Sequence, residues 1–150
     1  MALNNNWKDL YLDIDLYHGL MTKITKDNEK CCHLSLANVE ICCGSYTDAR
    51  QAAKGGARRI ELNTALEVGG LSASPAVVKL VKGNLDLIVN AMVRCRAGGF
   101  HYSDDEFLVM KNQALELMES GADGIVFGFL DRNRKVDYLR VQEFVHLIHS

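Results

Sequence analysis

Gly56-Ala57-Arg58-Arg59-Ile60-Glu61-Leu62-Asn63 is the stretch that decides the fold. A glycine and a small residue close whatever precedes, and polar and apolar side chains then alternate. Arg59, Glu61 and Asn63 fall on one face of a strand, Ile60 and Leu62 on the other, because successive side chains on a strand point to opposite sides. The same two-residue period recurs outward along the chain. In Val39–Cys43, Glu40 and Cys42 alternate with Val39, Ile41 and Cys43. In Leu87–Arg94, Asn90, Met92 and Arg94 alternate with Val89, Ala91 and Val93. A fourth run spans Gly124–Phe129, and Gly121-Ala122-Asp123-Gly124-Ile125 weakly repeats Gly56-Ala57-Arg58-Arg59-Ile60.

Between the strands lie stretches of helical pattern: Thr47–Lys54, Pro75–Lys82, Asp104–Ser120 and Asp137–His149. Gly55-Gly56 and Gly121 are stop signals. Ser74-Pro75 reads as a helix cap followed by proline at the first helical position. Ser103 through Glu106 fits a capping box, and Asp137 suits the start of the last helix. Strands alternating with helices predict an α/β fold with a parallel sheet. Strands of a doubly wound sheet are apolar on both faces, whereas these carry one polar face. That face suits the inside of a barrel, with Cys42, Asn63 and Arg94 nearest the strand C-termini, where barrel sites are built. Four units of roughly 28 residues fill residues 39–150, against about 250 residues for eight units. The expectation is therefore a set of parallel βα units from a TIM barrel, about four of eight, or a half-barrel.

Residues 1–38 differ in character. Trp7, Leu10, Tyr11, Ile14, Tyr17, Met21 and Ile24 recur at spacings of three and four, which predicts one extra N-terminal helix over about residues 6–25. A polar linker, Thr25 to Lys30, follows.

Composition narrows the function classes. Of 150 residues, 48% are hydrophobic and 24% charged, enough for one domain with a core. A net charge of −2 leaves no basic excess for binding nucleic acid. No apolar run approaches the about 20 residues that span a bilayer. Met1 to Lys8 is Asn-rich without the apolar core of a signal peptide, which predicts a cytoplasmic protein with no membrane partner. Five cysteines, four of them in the adjacent pairs Cys31-Cys32 and Cys42-Cys43, argue for reduced thiols.

Several of these segments together resemble the CutC family of copper homeostasis proteins. They are Val39–Cys43, Gly56–Leu62, Gly69-Gly70-Leu71-Ser72-Ala73-Ser74, Met92 to Phe100, Tyr102-Ser103-Asp104 and Gly121 to Gly128. The resemblance covers residues 39 to about 145. It implies a TIM-barrel fold, a cytoplasmic location and a role in handling Cu(I). It also implies that cysteines of the first two strands are copper ligands: Cys42 matches the first such position, and Asn63 stands where some members carry the second. Val68 replaces a glutamate often found before the glycine pair, and Ala73 and Cys95 replace prolines. The family continues with a strand carrying a His-Arg pair, beyond Ser150, so the chain is expected to be a fragment or a fused reading frame.

The candidate site residues follow from the polar face. Glu40, Glu61, Asn63 and Arg94 are the candidate substrate-binding residues: the carboxylates as bases or ligands, Arg94 as an anion clamp. Buried charges of this kind also serve as a structural ion-pair network. Cys42 is the candidate metal ligand, since thiolates suit Cu(I). Cys43 faces the other side and reads as a core residue. Cys31-Cys32-His33 lacks zinc-site spacing. Gly69-Gly70-Leu71-Ser72 could cradle an anion with its backbone amides, or merely permit a turn. Arg96, Gly98 and Gly99 form a second loop at the same rim. His18, His101, His146 and His149 read as surface residues.

The functional expectation is a copper homeostasis protein with copper as Cu(I) at the barrel mouth. The rivals are a TIM-barrel enzyme acting on a small anionic substrate, with no reaction assignable, and an inactive fragment. The unpaired edge strands of a half-barrel predict a homo-oligomer.

Overall fold

The computed structural model describes residues 39–149. The expected N-terminal helix and the Cys31-Cys32-His33 cluster lie outside the described residues. Four βα units follow one another: β1 (Ile41–Cys43), α1 (Tyr46–Lys54), β2 (Arg59–Leu62), α2 (Pro75–Asn84), β3 (Ile88–Met92), α3 (Asp104–Glu119), β4 (Gly124–Val126) and α4 (Tyr138–His149). A single 3-10 turn, Leu66–Val68, interrupts the loop after β2. The strands are ordered β1-β2-β3-β4, all parallel.

Local chemistry sets the helix ends. Ser45 accepts a hydrogen bond from the Asp48 amide at 3.1 Å and starts α1. Ser103 and Glu106 form the expected capping box of α3. The Asp137 carboxylate accepts from the Arg140 amide at 3.2 Å at the start of α4. Gly56, at φ +89°, turns the chain out of α1, a conformation that glycine adopts without steric cost. Ser74 departs from expectation. Pro75 opens α2, but the Ser74 side chain makes no capping bond; the fixed φ of proline defines the start by itself.

The register places Cys42, Glu61, Asn90 and Gly124 in one row across the sheet. Their face is the polar one. The opposite face is the core: Ile60, Leu62, Val89, Ala91 and Val93 are buried with Val78, Val81, Met110, Ala114, Leu117 and Phe144 from the helices. Each large apolar side chain so buried contributes about 1.5–3 kcal/mol. Phe107, Phe127, Phe129 and Phe144 pack ring against ring, with centroids 4.6 to 6.1 Å apart, and fix α3 and α4 against the strand end. Val39 and Ile41, of the apolar set in the alternation, are exposed. Ile41 opens an edge strand, with a neighbour on one side only, and Val39 lies just before it. No helix among the described residues is long and apolar enough to cross a membrane.

Candidate functional site

The polar face holds Glu40 just before β1, Cys42, Glu61 and Asn90 in one row across the strands, and Asn63 just past β2. Cys42 is the middle residue of β1, opposite Glu61 of β2. Asn63 follows β2 and is fully buried. Its amide nitrogen lies 2.9 Å from Glu61 Oε1 and 3.5 Å from Cys42 Sγ, so one amide orients both groups. Glu40 accepts a hydrogen bond from the Asn90 side chain of β3. Cys42, Glu61 and Asn63 are thus brought together, and Glu40 is held beside them through Asn90.

Arg94 is elsewhere. It follows β3 and is 8% exposed. Nη1 donates to the carbonyls of Gly69 at 2.9 Å and Gly70 at 3.1 Å, and Nη2 to that of Gly98 at 2.6 Å. Its guanidinium also stacks on Phe100, 4.9 Å from the ring centroid. Among the described residues no ion pair joins Arg94 to Glu40 or Glu61; carbonyl dipoles meet both terminal nitrogens of the buried guanidinium, while Nε is buried without a hydrogen-bond partner. The terminal N–H donors expected to clamp an anion are spent on these carbonyls.

The glycine loop is also the reverse of an anion cradle. The amides of Gly69, Gly70, Leu71 and Ser72 donate to the carbonyls of Leu66, Ala65, Thr64 and Arg94. What the loop turns toward Arg94 is carbonyl oxygen. Both glycines are required: at φ +88° and +82°, a Cβ on Gly69 would sit 3.1 Å from Arg94 Nη1, and one on Gly70 2.6 Å from Asn63 Oδ1.

Electrostatics disfavour an ionised thiol at Cys42. Burial pushes its pKa up, the Glu61 and Glu40 charges push it further, and the Asn63 amide offsets part of this. Cys43, facing the core, is pushed up to about 11 by burial and the Asp48 charge. Burial and Glu106 likewise raise Cys95. Among the described residues no group of three or more His, Cys, Asp and Glu side chains gathers as a metal cage.

Three residues at this rim were not singled out as candidates. Asn90 was legible only as a polar residue of the inner face. Ser72 accepts from the Arg94 amide at 2.9 Å and donates to Gln113 Oε1 at 2.8 Å, tying the rim to α3. Glu106 anchors Arg96, which in turn donates to the carbonyls of Gly99 and His101, both at 2.8 Å. No local pattern announces contacts of this range.

A model of the CutC family matches residues 37–150. The chain belongs to the CutC family. A CutC family protein of Treponema denticola is 46% identical over 112 residues, 75% of this chain and 46% of that protein. One from Vibrio vulnificus is 38% identical over 112 residues, covering 75% and 45%. The chain spans about half the length of the curated relatives it matches. A Streptococcus agalactiae crystal structure, named as a copper homeostasis protein CutC, superposes with a TM-score of 0.68 at 29% identity, covering 74% of this chain and 54% of that one. The four βα units are thus the partial barrel expected from the alternation of polar and apolar residues.

Proposed function

We propose that this CutC family chain takes part in copper homeostasis in the cytoplasm and handles Cu(I) as cargo at Cys42. The observation that carries this reading is the Cys42 thiol: it is exposed on the polar face and lies beside Asn63 and Glu61. A thiol is the soft donor that Cu(I) prefers, and the Glu61 and Glu40 charges beside it favour a cation in place of its proton. Glu61 and Asn63 offer only hard donors, so binding is weak and depends on the one thiol. Glu40 adds charge, and Arg94 acts by holding the rim loops. The name carried by the Streptococcus agalactiae neighbour supports the same reading.

Anaerobic competition against a Cu(I) chelator tests it. The wild type should hold copper more tightly than Cys42→Ser, and Cys43→Ser should match the wild type. A Cys42→Ser protein that binds as tightly as the wild type overturns the site. The reading includes association through the edge strands β1 and β4, and light scattering that finds a well-folded 150-residue monomer counts against that part.

A further inference from the structure

A second site lies at the same rim, between the loop after β3 and the loop after β4. A cavity of about 490 Å³ opens there, lined by Phe100, His101, Leu130, Asp131, Arg132 and Arg134 among others. That volume falls within the range of small-ligand pockets, roughly 300–1,000 Å³. We propose that it binds a small phosphorylated ligand carrying an apolar group.

The charge balance points to an anion. Asp131, the acidic residue lining the cavity, is committed to its own turn: Oδ1 accepts from the amides of Asn133 at 2.8 Å and Lys135 at 2.9 Å. Arg132 and Arg134 are exposed and have no ion-pair partner among the described residues. His101 Nδ1 lies 3.2 Å from the Leu130 carbonyl. A carbonyl only accepts, so Nδ1 carries the proton in this contact. Arg132, Arg134 and His101 thus line a cavity whose carboxylate is already engaged by backbone amides. Guanidinium forks match the paired oxygens of phosphate, and a dianion balances two of them.

The backbone supplies an independent observation. Arg134 is a non-glycine residue at φ +60°. Glycine would occupy that position without strain, whereas an L side chain there is sterically disfavoured. Strain of this kind gathers at ligand clamps and is retained where the side chain is needed. The walls are also built in advance. The Leu130 amide donates to the Phe100 carbonyl at 3.0 Å, joining the two loops, and Asp131 and Lys135 close the turn at 2.7 Å. The Phe100 ring is held by Arg94, and with Leu130 it supplies the apolar wall. Cys42 takes no part, so this site stands apart from the copper reading.

The test is calorimetric titration of the full chain with phenyl phosphate and with inorganic phosphate at fixed ionic strength. Saturable binding of phenyl phosphate, tighter than that of inorganic phosphate, is expected. Arg134→Gly should weaken it by about tenfold, or 1.4 kcal/mol, without lowering the thermal midpoint, because the substitution removes strain. Arg132→Gln, which leaves the turn alone, should weaken it similarly, while Lys135→Gln and Cys42→Ser should not. Absence of saturable phenyl phosphate binding at millimolar concentration overturns the proposal. So does unchanged affinity in the Arg132→Gln and Arg134→Gly variants.

Discussion

The Asn90 side chain on β3 donates a hydrogen bond to the Glu40 carboxylate next to β1, across the intervening strand β2. Adjacent strands lie about 4.8 Å apart, so in a flat sheet the two would be separated by nearly twice that distance. The contact requires a sheet curved toward its polar face. It also has the form of a barrel layer, in which side chains from alternate strands meet.

Gly124 makes room for that contact. A Cβ there would lie 2.5 Å from Asn90 Oδ1. Gly124→Ala should therefore destabilise the fold by about 1–3 kcal/mol through overpacking. Asn90→Ala should cost about 1 kcal/mol for the lost hydrogen bond. The double variant should cost less than the sum, because the clash is gone. Urea unfolding of all four proteins measures the cycle, and strict additivity would remove the steric explanation.

Arg94→Lys should be nearly as damaging as Arg94→Ala. An ammonium cannot reach the carbonyls of Gly69, Gly70 and Gly98 in the fixed geometry of a guanidinium fork. A loss of about 2 kcal/mol or more is expected for buried charge-assisted bonds. Hydrogen exchange should speed up in residues 64–72 and 95–100 ahead of the rest. A lysine variant as stable as the wild type would show that the charge alone suffices.

The reactivity of Cys42 reports its surroundings. Burial, Glu61 and Glu40 hold its thiol pKa above the ordinary value. Since the thiolate is the nucleophile, alkylation by iodoacetamide should be slow at neutral pH and its midpoint should lie on the alkaline side of a free cysteine. Glu61→Gln removes one negative neighbour and should move that midpoint down. A midpoint unmoved by the substitution would mean that Glu61 is not felt at the sulfur.

Asp123 ties β4 to β3 and α2. Its Oδ2 lies 2.7 Å from the Val89 amide and 2.7 Å from Lys82 Nζ. Burial raises its pKa, but the Lys82 and Val89 bonds outweigh this, and the net shift is downward. A lowered folded pKa gives stability that is present above the unfolded value of about 3.9 and is lost as pH falls through the folded one. Asp123→Asn should be less stable at neutral pH and should lose less on acidification. Parallel stability curves for the two proteins between pH 5 and the acid limit, roughly pH 2, would exclude Asp123 as a source of the acid sensitivity.

The glycine pair shows where legibility ends. Positive φ at Gly69 and Gly70 is what a glycine pair after a strand suggests. Whether the loop offers amides or carbonyls to the rim depends on the 3-10 turn at Leu66–Val68, which consumes the amides, and on Arg94, 24 residues beyond Gly70. Arg94 as an anion clamp was inferred from its face on the strand; its partners belong to two loops that alternation does not describe.

The sequence by itself determined the four βα units, the polar and apolar faces of their strands, the capped starts of α3 and α4, and the family. Those rest on two-residue and 3.6-residue periods and on caps spanning three or four residues, all written in neighbouring positions. Only the tertiary structure decided that Asn63 joins Cys42 to Glu61, that Asn90 reaches Glu40, that Arg94 faces carbonyls, and that Arg132 and Arg134 line a cavity with Phe100. These pairings depend on strand register, on sheet curvature and on how two loops close over one rim. A shift of one residue in register would turn each strand's side chains to the other face.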